Sequence, residues 1–175
     1  MNLKKYHIIG FIFTLILGSI LHFTYEFSNE NIIVGYFSAV NESTWEHLKL
    51  LITPSILFFI FEYFKYGKDI DNFFIVKALS ILLGMVVIIV LFYTYTGVIG
   101  QNYLVLDILT FILGIFVTYY FSYKMLQTDI LIRENGNYIG FFIIFLSLFS
   151  IIYFTTSPPK INLFLDPNKN IYGIE

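Results

Sequence analysis

The chain contains no cysteine, so disulfides, thiolate metal sites, thiol nucleophiles and a lipidated-cysteine anchor are excluded together. Any metal would have to be held by histidine and carboxylate side chains. Charge is also scarce: 13% of residues are Asp, Glu, Lys or Arg, where soluble domains average about 25%. Ten Lys and Arg stand against 12 Asp and Glu, giving a formal net charge of −2. No polybasic run exists that could grip phosphates, which removes nucleic acid as a partner. Gly-x-Ser-x-Gly, Walker, His-Glu-x-x-His and Gly-x-Gly-x-x-Gly signatures are all absent, and ATP-driven and dinucleotide chemistry go with them.

What the 175 residues do have is apolar length: 58% are hydrophobic and 21% aromatic. A bilayer core requires about 20 apolar residues per helix, and five such stretches are present. The sequence predicts an all-α, five-helix membrane bundle in one domain over 1–175. Its spans fall at about 6–25, 45–66, 73–95, 103–123 and 138–156, followed by a tail at 157–175. Lys4 and Lys5 before the first apolar run suggest a signal peptide, but no small-residue cleavage site follows, so the segment reads as a retained span. The run Ile32 to Phe37 is too short to cross and is expected to lie in the interface or fold back against the helices.

Lys4, Lys5, Lys65, Lys68, Lys124 and Arg133 collect in loops on one side of this arrangement. The positive-inside rule makes that side cytoplasmic, with the amino terminus inside and the carboxyl terminus outside a multi-pass cell-membrane protein. Glu62 with Lys65 then reads as an interfacial salt bridge, Lys77 as a snorkelling side chain and His7 as interfacial. Pro158-Pro159 stops the last span. Leu163, Phe164 and Ile171 alternate with turn formers such as Asp166-Pro167-Asn168, so the tail is expected to fold back over the outer mouth.

Polar chemistry concentrates in Asn41-Glu42-Ser43-Thr44-Trp45-Glu46-His47-Leu48-Lys49. Together with His22-x-x-Tyr25-Glu26 upstream, this stretch resembles a family of small bacterial integral membrane proteins of unknown function, carried mainly by Firmicutes. Thr155 to Pro159, Leu163-Phe164-x-Asp166-Pro167 and Tyr172-Gly173-Ile174 are similar to that family's carboxyl-terminal pattern, although Asn168-Lys169-Asn170 stands where a glycine is usual. The resemblance implies a membrane protein and supplies no mechanism.

The residues themselves offer several chemistries. Ser43-x-x-Glu46 before an apolar run is the pattern of a capping box. Continued as a helix, Glu42, Trp45, Glu46 and Lys49 share one face while Ser43 and His47 share the next. His22 and Glu26, four apart, also lie on one face. His22, Glu26, His47 and Glu42 form the mixed nitrogen and oxygen set that Zn²⁺ or another divalent metal takes with a water position open. Asp107 lies about one turn inside its span, where a carboxylate costs roughly 2.5–3.5 kcal/mol and by default marks function. It is expected to meet His22, Glu26 and His47 in one outer pocket.

Three functional classes fit. In the first, Asn41, Ser43, Trp45 and Lys49 with the acids and histidines form a polar site that binds a small ligand, lipid headgroup or partner at the outer face. The second is a metal-dependent intramembrane hydrolase acting on a lipid or envelope precursor, with His22, Glu26, His47 and one of Glu42 or Glu46 as ligands, Asp107 as the base on the attacking water and Glu46 as a further catalytic candidate. The third is an ion or proton carrier, disfavoured because a carrier should have ionisable groups at several depths and the middle and inner thirds of the spans are almost free of them.

Overall fold

A computed structural model describes residues 2–174, and those residues hold six α-helices and no named strand. They are α1 (Leu3–Phe27), α2 (Ile32–Gly35), α3 (Thr44–Lys65), α4 (Phe73–Ile99), α5 (Leu104–Met125) and α6 (Gly136–Thr156), with short 3₁₀ turns at Gly67–Asp69 and Asn162–Phe164. All but α2 are long and apolar enough to cross a bilayer, which is compatible with a multi-pass membrane protein.

The most polar of the five long helices is the central one. Within its most apolar window, 67% of α3 is buried, against 44% for α4 and 22% for α1 and α6. Helices α1, α5, α4 and α6 form an arc around it, each packed on the next. The physical reason is a solvent argument: where lipid surrounds the bundle, ionised and hydroxyl side chains find partners only among the helices, so the helix with the most of them goes inside.

Close approach of α1 to α3 depends on Gly18, where an added Cβ would lie 2.5 Å from the Leu50 carbonyl oxygen. That carbonyl has no helical donor, because Pro54 four residues on lacks an N–H. Between α6 and α4, an added Cβ at Gly140 would run into the Ile75 backbone.

Three interfacial expectations are corrected at the end of the bundle where α3 finishes. Glu62 is fully buried and pairs with Lys77 at 2.6 Å, not with Lys65. Lys77 is fully buried too and does not snorkel, its Nζ lying 4.4 Å over the Phe59 ring. His7 is 4% exposed, its Nδ1 donating to the Leu3 carbonyl at 2.8 Å while its Nε2 accepts from Ser122 Oγ at 3.0 Å. Inward partners outcompeted the water interface because the pair neutralises itself and its remaining hydrogen-bond capacity is met.

Candidate metal centre

At the opposite end, α1 runs out at Phe27 and the chain turns back through Asn29 and Glu30, both at positive φ. The Asn31 side chain caps α2 by accepting from Ile33 N–H at 2.9 Å. A second side-chain turn prepares α3: Asn41 Oδ1 accepts from Ser43 N–H at 2.9 Å, and Ser43 Oγ accepts from Glu46 N–H at 3.3 Å as the N-cap. Only half of the capping box forms. The Glu46 carboxylate turns away from the Ser43 N–H and accepts from Val40 N–H at 3.1 Å.

His47 sits in the first turn of α3, and its Nδ1 donates to the Ser43 carbonyl at 2.9 Å. A carbonyl only accepts, so the proton is on Nδ1 and the neutral ring presents a bare lone pair at Nε2. His22 Nε2 of α1 lies 3.1 Å from that atom. Glu42 Oε2 is 3.5 Å from His47 Nε2 and 3.8 Å from His22 Nε2. Among the described residues this trio is the one His/Asp/Glu group whose ligand atoms all lie within 4.8 Å of one another. All three side chains are between 29% and 46% exposed, so water reaches the site.

Those spacings suit a metal. Bonds of about 2.0–2.1 Å to a tetrahedral Zn²⁺ place neighbouring ligand atoms about 3.3–3.4 Å apart, and the three observed edges bracket that value. The donor set, two imidazole nitrogens and one carboxylate oxygen, is that of a catalytic zinc site with a position left for water. His47 also has the usual outer partner of a metal-bound imidazole, a carbonyl on its far nitrogen. Among the described residues, His22 Nδ1 is buried without a partner.

Not every expected residue converges. Glu42 precedes the helix, so it escapes the helical face that would have paired it with Lys49, and it reaches His47 instead. Glu26 is exposed and lies outside the trio. Glu46 is 2% exposed and bound to Lys49 at 2.6 Å, and it lies outside the trio. Lys49 Nζ also donates to Thr155 Oγ1 at 2.5 Å and to the carbonyls of Gly35 at 2.9 Å and Ser38 at 3.4 Å, so the pair ties α2, α3 and α6 together. Asp107 does not join the pocket. Its carboxylate accepts from the Tyr95 hydroxyl and from Asn102 Nδ2 at 3.2 Å, which closes the α4–α5 hairpin. A carboxylate in the first turn of a helix is satisfied most cheaply by local donors and the helix dipole, and α5 begins beside those donors.

The tail supplies partners that turn-forming residues alone did not reveal. Phe164 is buried with its ring 4.9 Å from that of Trp45 and 5.2 Å from that of Phe154. Asn41 Nδ2 donates to the Gly173 carbonyl at 3.0 Å, and Ile174 N–H donates to the Thr155 carbonyl at 3.0 Å. Asp166, fully buried, accepts from the backbone N–H groups of Glu42 at 3.1 Å, Asn168 at 2.7 Å and Lys169 at 3.1 Å. Burial alone would push this carboxyl up, but the three N–H donors hold it below the usual carboxylate value. The tail therefore grips the backbone of Glu42, the residue that completes the trio.

No curated protein and no solved structure matches the chain. The model of a family of unknown function, DUF6512, matches residues 1–174, and the chain belongs to that family.

Proposed function

We propose that this is a multi-pass cell-membrane protein that holds one divalent metal of the zinc type on His22, His47 and Glu42, and that it hydrolyses a bond presented at the outer membrane surface. The observation that carries the proposal is the set of three donor-atom separations, 3.1, 3.5 and 3.8 Å, drawn from two helices and a loop. A metal there, with a position open to water, would supply Lewis-acid activation of that water. The chain's own part is to aim the two imidazoles, keep the His47 proton on Nδ1 and hold Glu42 in reach through Asp166. A lipid headgroup or envelope precursor is the substrate class suited to a water-accessible site at a bilayer surface.

The same 3.1 Å contact also fits a metal-free pair in which His22 Nε2–H donates to His47 Nε2. It leaves His22 Nδ1 as a bare acceptor, the cheaper form of an unpartnered ring nitrogen, and would make a polar site for a small ligand or headgroup.

Metal content separates the two. Protein purified without chelator and equilibrated with Zn²⁺ is expected to retain one equivalent, and His22→Ala with His47→Ala to retain none. Wild-type protein that keeps no more metal than the double variant sinks the metal centre and leaves the ligand site.

Orientation follows the Lys and Arg distribution, which puts the starts of α1, α4 and α6 inside and the histidine trio outside. A carboxyl-terminal reporter that works only outside the cytoplasm should be active, and the same reporter at Gly136 silent. The opposite pattern reverses the topology.

A further inference from the structure

The Glu62 cluster at the far end of the bundle takes no part in the metal centre. It draws on four helices: His7 from α1, Glu62 from α3 with Tyr66 at its C-cap, Lys77 from α4 and Ser122 from α5. Lys77 Nζ donates to Glu62 Oε2 at 2.6 Å and to His7 Nε2 at 3.4 Å, and the Tyr66 hydroxyl donates to Glu62 Oε1. Every one of these side chains is 4% exposed or less.

A buried ion pair is commonly replaced by an apolar pair of similar volume at no loss, and ionisable groups within a bilayer mark proton or ion paths by default.

Polar groups continue from the cluster along the seam between α1, α3 and α5. Thr14 is two turns from His7 on α1, Ser55 two turns from Glu62 on α3, and Tyr119 one turn from Ser122 on α5. These three meet at one level. The Tyr119 hydroxyl and Thr14 Oγ1 are 2.7 Å apart, and both residues are buried. Ser55 Oγ is fully buried near the Tyr119 hydroxyl and makes no well-formed hydrogen bond among the described residues. An unpartnered hydroxyl in such a place is costly unless something passes through it or binds to it. One turn beyond Thr14, the Leu50 carbonyl freed by Pro54 faces Gly18, and one more turn along α1 reaches His22 and water.

We propose that this seam carries protons: the Glu62–Lys77–His7 cluster takes up a proton at its end of the bundle, and the Tyr119, Thr14 and Ser55 hydroxyls, bridged by water admitted to the seam, relay it toward the opposite end. The carboxylate of Glu62 accepts the incoming proton and loosens Lys77. Each hydroxyl then accepts one proton on a lone pair and releases its own, so no relay group ends with a changed charge and no other reactant is consumed. The scarcity of buried ionisable groups that argued against a carrier disappears once Glu62, Lys77 and His7 are seen to be buried. This inference does not rest on the metal centre, since the cluster and the hydroxyls lie outside it.

The test is proton flux into liposomes holding the full-length protein and a trapped pH-sensitive dye, driven by a potassium diffusion potential set with valinomycin, with chelator present. Wild-type vesicles should change internal pH faster than protein-free vesicles, and Glu62→Gln should fall to the protein-free rate. Tyr119→Phe and Ser55→Ala keep the Glu62–Lys77 pair and nearly the same volume, so they remain informative if Glu62→Gln fails to fold, and both should slow the flux. Wild-type flux equal to that of protein-free vesicles overturns the proposal, as does full flux in folded Tyr119→Phe and Ser55→Ala.

Discussion

Asp166→Asn tests whether the tail positions the Glu42 ligand. The carboxylate takes three backbone N–H groups, and only Oδ2 reaches the Glu42 N–H, at 3.1 Å. An amide in its place can keep Oδ1 on Asn168 and Lys169, but it turns an NH₂ donor toward the Glu42 donor. Hydrogen bonds to a charged group contribute about 1.5–3 kcal/mol each, so losing this one should shift the tail's docked-to-open ratio by about one to two powers of ten. Phe164 against Trp45 and the Asn41–Gly173 contact still hold the tail, so the global melting temperature should move little. Hydrogen exchange at the Glu42, Asn168 and Lys169 amides should rise, and Zn²⁺ affinity should fall with it. The pH dependence has a definite sign. The folded carboxyl titrates below its unfolded value of about 3.9, so its stabilisation is complete above that value and is lost as pH falls through the folded pKa. Asp166→Asn should show the fast exchange already at neutral pH and lack this acid transition. If amide exchange and metal affinity in the variant match wild type, Asp166 does not position Glu42.

The five long helices were legible because lipid allows few backbone solutions, and apolar length alone announces a span. Side-chain partners were less legible, for reasons that differ from residue to residue. His22 and His47 could be placed at one depth by counting turns, yet nothing in the spacing showed that Glu42 would leave the helical face, because Asn41 and Ser43 had first to be recognised as side-chain turns. Asp107 looked deep by count, but Tyr95 and Asn102 come to it from the preceding hairpin, a contact that appears only once α4 continues to Ile99. The Glu62 pair was missed for a related reason: Lys65 is three residues away and Lys77 is fifteen, and proximity in sequence weighs heavily when burial is unknown. Burial decides it, since a lysine that loses water must reach its counter-ion wherever that lies. Asp166 had no signal beyond turn chemistry, which is what most buried Asp-Pro turns show on their own.

The remaining predictions address packing and the residues that did not converge. Removing one member of the Glu46–Lys49 pair by Glu46→Ala or Lys49→Ala should cost about 3–5 kcal/mol in a detergent melt, whereas Glu46→Leu with Lys49→Met should come close to wild type; equal losses in single and double variants would contradict a self-neutralising pair. Asp107→Asn should leave metal content unchanged while loosening the α4–α5 hairpin, and metal loss in that variant would return Asp107 to the site. Gly18→Ala separates α1 from α3 by a single carbon. Its Cβ would stand 2.5 Å from the Leu50 carbonyl oxygen and 2.8 Å from the Phe111 ring, and the first of these is backbone of the most buried helix, which cannot yield. Overpacking of this kind costs about 1–3 kcal/mol, more than the roughly 1 kcal/mol that alanine gains over glycine within a helix. Helix α1, on the outside of the bundle, should therefore be the part that moves, carrying His22 away from His47. Gly97→Ala makes the matched comparison, because nothing lies within 4 Å of its added Cβ and the propensity gain should appear alone. The pair should melt on opposite sides of wild type, with Zn²⁺ affinity reduced only in Gly18→Ala. If Gly18→Ala instead melts with or above wild type and binds metal as tightly, the close α1–α3 contact is not what holds the two histidines together.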